Sequence, residues 1–435
     1  MKPTDAIQHP SDWSEAVVGN VIEVKRGISW SKDQEHSTPK AGTVPVIRIG
    51  NIQDRLILDD LLYISGLKPK SIEKKRVVVD WSMIVGSNGN RQRVGNAVLI
   101  TDSTDFLFAS FLLAAKPKVE SGIIPAYFYR WLCAEQVQAY LSASAEGTTG
   151  LNNLSHSFFR AMAVPYPSPD EQAAIAHFLD AVDAAIKHTQ NTVEKAMAMR
   201  LAIMQAAFNY EMTSEPQCNS DAGRIPQSWE ALKGKQAFTV LTGGNSSVNA
   251  LKPLRGEEVA DAWFMKVDDF NLPNNPRHIV QTKIGFFAAN NPSFKLLPIG
   301  TIIIAKRGEA ILKNRVRTVA VPIAIDPNLM ALKVRSDIFP EFFRYQLEWR
   351  NLARYVESSG VPQLNNKDLY PRWFVRAPED QQKEIVGLIS AAERHEDVVR
   401  GKLIALEMLK KSLMHDLLTG TVRVDPALIK EEESL

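Results

Sequence analysis

The chain repeats itself, and the repeat restricts the fold more than any single motif does. His9-Pro10-Ser11-Asp12-Trp13 runs on to Gly27, and Ile225-Pro226-Gln227-Ser228-Trp229 runs on to Gly243; the two tryptophans and the two glycines each stand 216 residues apart. Pro125-Ala126-Tyr127-Phe128 is answered by Pro340-Glu341-Phe342-Phe343 at 215, and Leu151-Asn152-Asn153 by Leu364-Asn365-Asn366 at 213. The last matched segments open at Ser168-Pro169-Asp170-Glu171 and Ala377-Pro378-Glu379-Asp380, and from Ile175 and Ile385 onward the shift stays at 210. A slowly falling shift is what short loop deletions produce. Each half reads as a globular segment followed by a helix: 1–167 and 168–212, then 213–377 and 378–420, with a tail over 421–435.

The first helix carries its apolar residues at Ile175, Leu179, Val182, Ile186 and Val193, then Met197, Leu201, Met204 and Phe208. Steps of three, four and seven make one apolar stripe. Ser168, Pro169 and Glu171 predict a capped start with a capping box. In the second helix the stripe runs through Ile385, Ile389, Ala392, Val399, Leu403, Leu406, Leu413 and Leu417, and Gly420 terminates it. Two such stripes can bury each other as a coiled coil. A helix of about 40 residues is roughly 60 Å long, more than a domain of this size needs for its own core, which suggests a spacer. Five acids meet three bases from Ser168 to Phe208, and eight meet six from Pro378 to Leu418, so neither helix attracts phosphate. Glu396 stands where the first helix has Ile186, a polar interruption that fits either a partner contact or a weak spot.

The globular halves alternate short β-rich runs with turn signals. Strands are expected near 44–49, 77–79, 83–85 and 97–100 in the first half and near 262–267, 301–305 and 318–325 in the second. Aromatic-rich helical segments follow at 126–141 and 341–356. The fold class is therefore mixed α/β (α+β), two similar domains with mixed sheets and two long helices.

With 435 residues, 45% of them hydrophobic and 23% charged, the chain has the composition of a folded protein of two or three domains. No run approaches the ~18 apolar residues of a membrane span, and Met1 to Asp12 lacks a secretory signal. Cys133 and Cys218 lie far apart with no ligand spacing around them, which fits ordinary thiols in the cytoplasm, no disulfide and no metal.

A net charge of only +2 requires any nucleic-acid face to be local. Basic residues cluster on turns. Lys306, Arg307, Lys313, Arg315 and Arg317 meet one acid, Glu309, between two strands; the corresponding first-half loop, Gly86 to Arg93, offers Asn88, Asn90, Arg91 and Arg93 among glycines. Arg pairs bidentately with guanine and Asn with adenine, so these loops suit base-edge reading. Lys70, Lys74, Lys75 and Arg76, following Lys68, better suit phosphate positioning. Each basic loop alone is more often a solvated surface than a binding site; equivalent placement in both halves brings the two readings level. The paired segments 147–153 and 360–366 fit helix capping or a DNA-facing turn, with capping the simpler reading.

Catalytic chemistry is missing from the sequence. No Asn-Pro-Pro-Tyr or Asp-Pro-Pro-Tyr segment, glycine-rich cofactor turn, Walker loop or His-Glu-x-x-His pair occurs. Glu73-Lys74-Lys75 has the Glu-x-Lys spacing of some nucleases but no upstream acid to support it. No catalytic residue and no cofactor are assigned.

The ordered duplication resembles the specificity subunits of type I restriction-modification systems. It is carried by Trp13 to Gly27 with Trp229 to Gly243, by Pro169-Asp170-Glu171-Gln172 through Phe208, and by Pro378-Glu379-Asp380-Gln381 through Gly420. The resemblance implies a non-catalytic subunit whose two target-recognition domains read a split, asymmetric site in double-stranded DNA. It also implies that the two helices pair antiparallel and that the two halves are related by a pseudo-twofold axis, with two methyltransferase subunits and the motor and nuclease subunits of restriction as partners. The rival reading is a free-standing sequence-specific DNA-binding protein, a regulator or decoy, with a scaffold third.

Overall fold

The computed structural model describes residues 9–102, 105–147, 150–241, 248–252, 254, 259–356 and 361–427. Thr148, Thr149, Gly243, Gly360 and the tail beyond residue 427, all singled out above, lie outside them. The chain divides into two compact units, residues 1–190 with 401–435, and residues 191–400.

The first unit is built on an antiparallel sheet of four strands, β1 (Ile22–Arg26), β2 (Ser82–Val85), β3 (Ala97–Leu99) and β4 (Leu112–Pro117), in the order β1-β4-β2-β3. Alternation sorts its side chains. Ile84, Leu113 and Ala115 face a core shared with Tyr127, Phe128 and Trp131, whereas Met83, Val85, Leu112 and Ala114 face a second core with Ile47 and Val98. Both faces are covered, which is why β2 is buried throughout. The aromatic segment forms α1 (Pro125–Cys133) and a further helix over 135–143, broken at Ala134, whose backbone is extended. The expected strand over 77–79 is not one: Val77 packs into the second core from an irregular stretch.

Helix α2 (Pro169–Phe208) is continuous for 40 residues, about 60 Å at 1.5 Å per residue. The second unit repeats the sheet with β5 (Phe238–Leu241), β6 (Ile302–Ala305), β7 (Val316–Val319) and β8 (Leu329–Val334), in the same order β5-β8-β6-β7, and adds His278–Ile279 as a parallel edge. Its aromatic helix is α3 (Pro340–Arg350), which stops at Asn351 with φ of 63°. Helix α4 (Glu379–Leu418) is again 40 residues long.

Each long helix changes unit along its length. Ile175 and Leu179 of α2 and Met414 and Leu417 of α4 join the core of the first unit; Met204 and Phe208 of α2 and Ile385 and Ile389 of α4 join the core of the second. Val193 and Val399 are buried, whereas Val182, Ile186, Leu403 and Leu406 are half-buried. The helices run antiparallel where they meet: Arg200 and Met197 face Glu396 and Arg400 in the second unit, and Asp183 meets Lys410 at 2.6 Å in the first.

One glutamine per unit fixes the helix start. Gln172, fully buried, donates to Gly122 O at 2.8 Å and Pro167 O at 2.9 Å and accepts from Ile124 N at 2.9 Å. Gln382, also fully buried, donates to Asp337 O at 3.0 Å and Ala377 O at 2.8 Å and accepts from Phe339 N at 2.8 Å. The shift of 210 therefore extends back to these glutamines. The capping box at Ser168 is only half made. Ser168 Oγ accepts from Glu171 N at 3.4 Å, but the Glu171 carboxylate turns to Arg423 at 2.6 and 2.7 Å.

Candidate nucleic-acid interface

Three chain segments meet at one end of the sheet in each unit, joined by the same hydrogen bonds. In the first unit the turn Ala109–Leu112 closes with Leu112 N to Ala109 O at 2.9 Å, Gly86 N donates to Phe111 O at 2.9 Å, and Leu154 N donates to Gly86 O at 2.8 Å. In the second the turn Asp326–Leu329 closes with Leu329 N to Asp326 O at 2.9 Å, Lys306 N donates to Asn328 O at 2.8 Å, and Leu364 N donates to Lys306 O at 2.9 Å. The β2–β3 and β6–β7 loops thus occupy matching places, and the counterpart of Leu364 is Leu154 rather than Leu151, so the shift here is 210 and not the 213 read from the two Leu-Asn-Asn segments. The segments around these leucines lead into helices and pair with the neighbouring loops. Ser155 and Asn365 open the short helices that follow, while Asn153 bonds Ser87 Oγ at 2.7 Å and Gln363 pairs with Arg307 through the backbone.

Side chains in the first loop mostly build the loop itself. Asn88 Oδ1 accepts from Asn90 N at 2.8 Å, and Asn90 Oδ1 from Gln92 N at 3.0 Å. Arg91 donates to Ser142 O at 2.8 Å and to Ala143 O, placing a cation on the C-terminal turn of the 135–143 helix. Arg93 is half-buried and donates to Ile52 O at 2.7 Å. These bonds to carbonyls fix the direction in which each guanidinium points and tie it to its own unit.

The uncommitted charge of this unit lies beside the loop. Lys70 and Lys74 are exposed on the helix 69–75, and no ion pair holds either among the described residues. Lys75 Nζ donates to Arg26 O at 2.5 Å, and Arg26 at the end of β1 donates through Nε to His156 Nε2 at 3.2 Å. Burial and the neighbouring charges of Lys74, Arg26 and Lys25 push the Lys75 ammonium below its ordinary range; burial, Arg26 and Arg160 do the same to His156. Groups that lower one another's basicity mark a place where positive potential accumulates. Arg76 is paired with Asp105 at 3.0 Å. Arg26 and His156 were not singled out from sequence, because the signal is spatial: they lie 130 residues apart.

In the second loop Arg307 and Lys313 are exposed, Lys306 is half-buried, and no hydrogen bond or ion pair of their side chains is formed among the described residues. Arg315 donates to Asn271 Oδ1. Arg317 does not belong with them. It sits on β7, not on the turn, and donates to Asn275 O at 3.1 Å and Val316 O at 2.9 Å. Burial, only partly offset by Glu348 and reinforced by Arg344, Arg277 and Arg315, pushes its guanidinium down to about 10, still charged at neutral pH. Its role is to support the strand.

Comparisons with known proteins agree with this architecture. The profile of the type I restriction modification DNA specificity domain matches residues 10–195. The EcoKI type I restriction enzyme specificity subunit of Escherichia coli K12 is 23% identical, over 98% of this chain and 93% of its own length. The MjaIX specificity subunit of Methanocaldococcus jannaschii is 22% identical, over 98% and 96%. The chain is thus similar to type I restriction-modification specificity subunits along nearly its whole length. A solved specificity subunit from M. genitalium shares its fold, with a TM-score of 0.57 at 15% identity over 96% of this chain and 99% of that one. Both relatives are named as specificity subunits of type I restriction enzymes. No helix among the described residues is long and apolar enough to cross a membrane.

The role of Glu396 could not be read from sequence. The residue is neither a partner contact nor a weak spot. It is buried in the second unit, bonded to Arg200 at 3.0 Å, Arg277 at 3.2 Å and Arg400 at 2.9 Å. Glu393 lies beside it and takes Arg344 at 2.9 Å and the Tyr345 hydroxyl at 2.7 Å; Arg344 in turn holds Glu341 and Glu348, and Arg200 holds Glu348 at 3.0 Å. This ionic core ties α3 to both long helices. The first unit has a smaller counterpart in Arg130, bonded to Asp180 and to Asp183 at 2.6 Å.

Proposed function

We propose that this subunit reads a split, asymmetric site in double-stranded DNA, each unit reading one half through the loops at the end of its four-stranded sheet. The observation that carries this reading is the duplicated loop cluster, with one hydrogen-bond scheme in both units but different side chains on it. A shared scaffold sets the same approach to DNA, and differing side chains make the two half-sites unlike. Lys70, Lys74, Lys75 and Arg26 position phosphates in the first unit. Lys306, Arg307 and Lys313 do so in the second, with Arg315 closest to base reading. Asn88, Asn90, Arg91, Arg93 and Arg317 act by shaping the reading loops, and Arg76 by anchoring the 69–75 helix.

Helices α2 and α4 serve as the spacer that sets the gap between half-sites, and the repeat offers two similar surfaces to two methyltransferase subunits, with restriction subunits joining that complex in the cytoplasm. Leu201 and Val398 are 53% and 71% exposed, and Ile404 and Met408 are 58% and 69% exposed, apolar area on helix faces that a protein partner would cover. The test is co-purification from the native cell with methylation mapping of its genome. A methyltransferase at two copies per chain and a split adenine-methylation motif that vanishes on deletion is the expected result. A chain that runs alone over an unchanged methylome would leave the free-standing DNA binder.

A further inference from the structure

Phe111 and Asn328 occupy the same position in the two units. Each is the third residue of the turn that leads into β4 or β8, and each has its carbonyl fixed by the first residue after the neighbouring sheet strand. Phe111 O accepts a second bond, from Ser87 N at 3.1 Å, and Asn328 N donates to Asp326 Oδ1 at 2.8 Å. The backbone is pinned while the side chain is exposed, 49% for the Phe111 ring. A single exposed apolar residue means little by itself. This one stands on a fixed turn two residues before Leu113, which pairs with Arg26 across β1 and β4, and it lines a cleft with Trp30, Glu35, Arg48 and Asp60. Its counterpart stands beside Lys306, whose amide it holds.

The two side chains carry the two chemistries that separate an A·T pair from the others in the major groove. An aromatic ring packs on the thymine methyl, and an Asn amide bonds adenine N6 and N7. Asn328 Nδ2 donates one proton to Asp326 Oδ1 at 2.7 Å, which leaves its second N–H and its carbonyl oxygen for that bidentate contact. Asp326 also sets the orientation of the amide.

We propose that Phe111 and Asn328 are the specificity-determining residues for one base pair in each half-site, Phe111 through a thymine methyl and Asn328 through an adenine edge. This rests on the DNA-reading function proposed above and names two of its readers.

The affinity-tagged full chain, purified with whatever subunits accompany it, would be used to select from random duplex DNA, alongside Phe111→Asn, Phe111→Leu and Asn328→Ala. Preference at one A·T position of one half-site should fall about ten- to a hundred-fold in Phe111→Asn, and at one position of the other half-site in Asn328→Ala, with every other position unchanged. Phe111→Leu keeps an apolar contact and should retain most of the preference. Unchanged motifs in Phe111→Asn and Asn328→Ala would overturn the proposal, and so would a uniform weakening at all positions. A wild-type complex that selects no sequence would instead overturn the DNA-reading function beneath it. The substitutions lie in separate units, so misfolding of one leaves the other as a test.

Discussion

Glu396→Ile places in the second helix the residue that the first helix carries at the matching position, and it should destabilise the second unit. The carboxylate is 3% exposed and bonds three guanidiniums; Arg200 is 8% exposed. Removing one partner of a buried ion pair costs about 3–5 kcal/mol when the other charge is left alone. Here Arg200 keeps Glu348 at 3.0 Å and Arg277 keeps Asp397 at 3.3 Å, so the expected cost is at the low end, about 3 kcal/mol. At about 2–4 °C per kcal/mol for a unit of this size, that corresponds to roughly 6–12 °C in Tm. Two units need not melt together, so the assay is hydrogen exchange resolved by segment. Amides of α3 and of 191–208 should lose protection by about a hundred-fold, while those of β1 to β4 stay unchanged. Arg200→Met combined with Glu396→Ile should cost less than the two single changes summed, by about 1–3 kcal/mol of coupling. A Glu396→Ile chain as protected as the wild type would refute the argument, because the network would then be contributing nothing that an apolar residue cannot replace.

Acid should act on the same network: burial pushes the Glu393 and Glu396 carboxyls up, but Arg344 and Arg277 outweigh it and hold both below their ordinary value of 4.5. Their contribution is present above pH 4.5 and disappears as pH falls through the depressed folded-state values, so the acid-unfolding curve of the second unit should flatten in Glu396→Ile. Gln172→Leu and Gln382→Leu each orphan buried backbone groups and should cost about 1–3 kcal/mol, measured by denaturant unfolding, each in its own unit. Arg307→Ala and Lys313→Ala should weaken binding to all duplexes alike and reduce the salt slope by about 1 apiece, whereas a change confined to one base position would make either residue a reader. Inserting about four residues at matched places in α2 and α4 adds roughly 6 Å, near two base pairs, and methylation mapping should show a longer gap between unchanged half-sites. Altered half-sites with an unchanged gap would remove the spacer function.

The two 40-residue helices were legible because their period is local: apolar steps of three, four and seven are visible without knowing what covers them. The central strands were legible for the same reason, as in Ile302-Ile303-Ile304, and so was the position of the loops between them. The roles of the loop residues were not. Arg91 looks like a base reader until Ser142, 51 residues away, takes its guanidinium, and Arg317 looks like a loop cation until the fold lays it along a strand against Asn275. Phe111 and Asn328 share no local pattern; only the amides of Gly86 and Lys306 reveal that they are equivalent.

The sequence by itself determined the duplication, the order of globular segment and helix, the absence of recognisable catalytic motifs and the places where basic loops emerge, since each depends on spacing or turn chemistry within a few residues. The tertiary structure decided that each helix divides its length between two units, that Glu396 belongs to a buried ionic core, and which charges remain free at the sheet ends. The physical reason is that a polar side chain is satisfied by whatever the fold brings within about 3 Å, and those partners are distant in the chain.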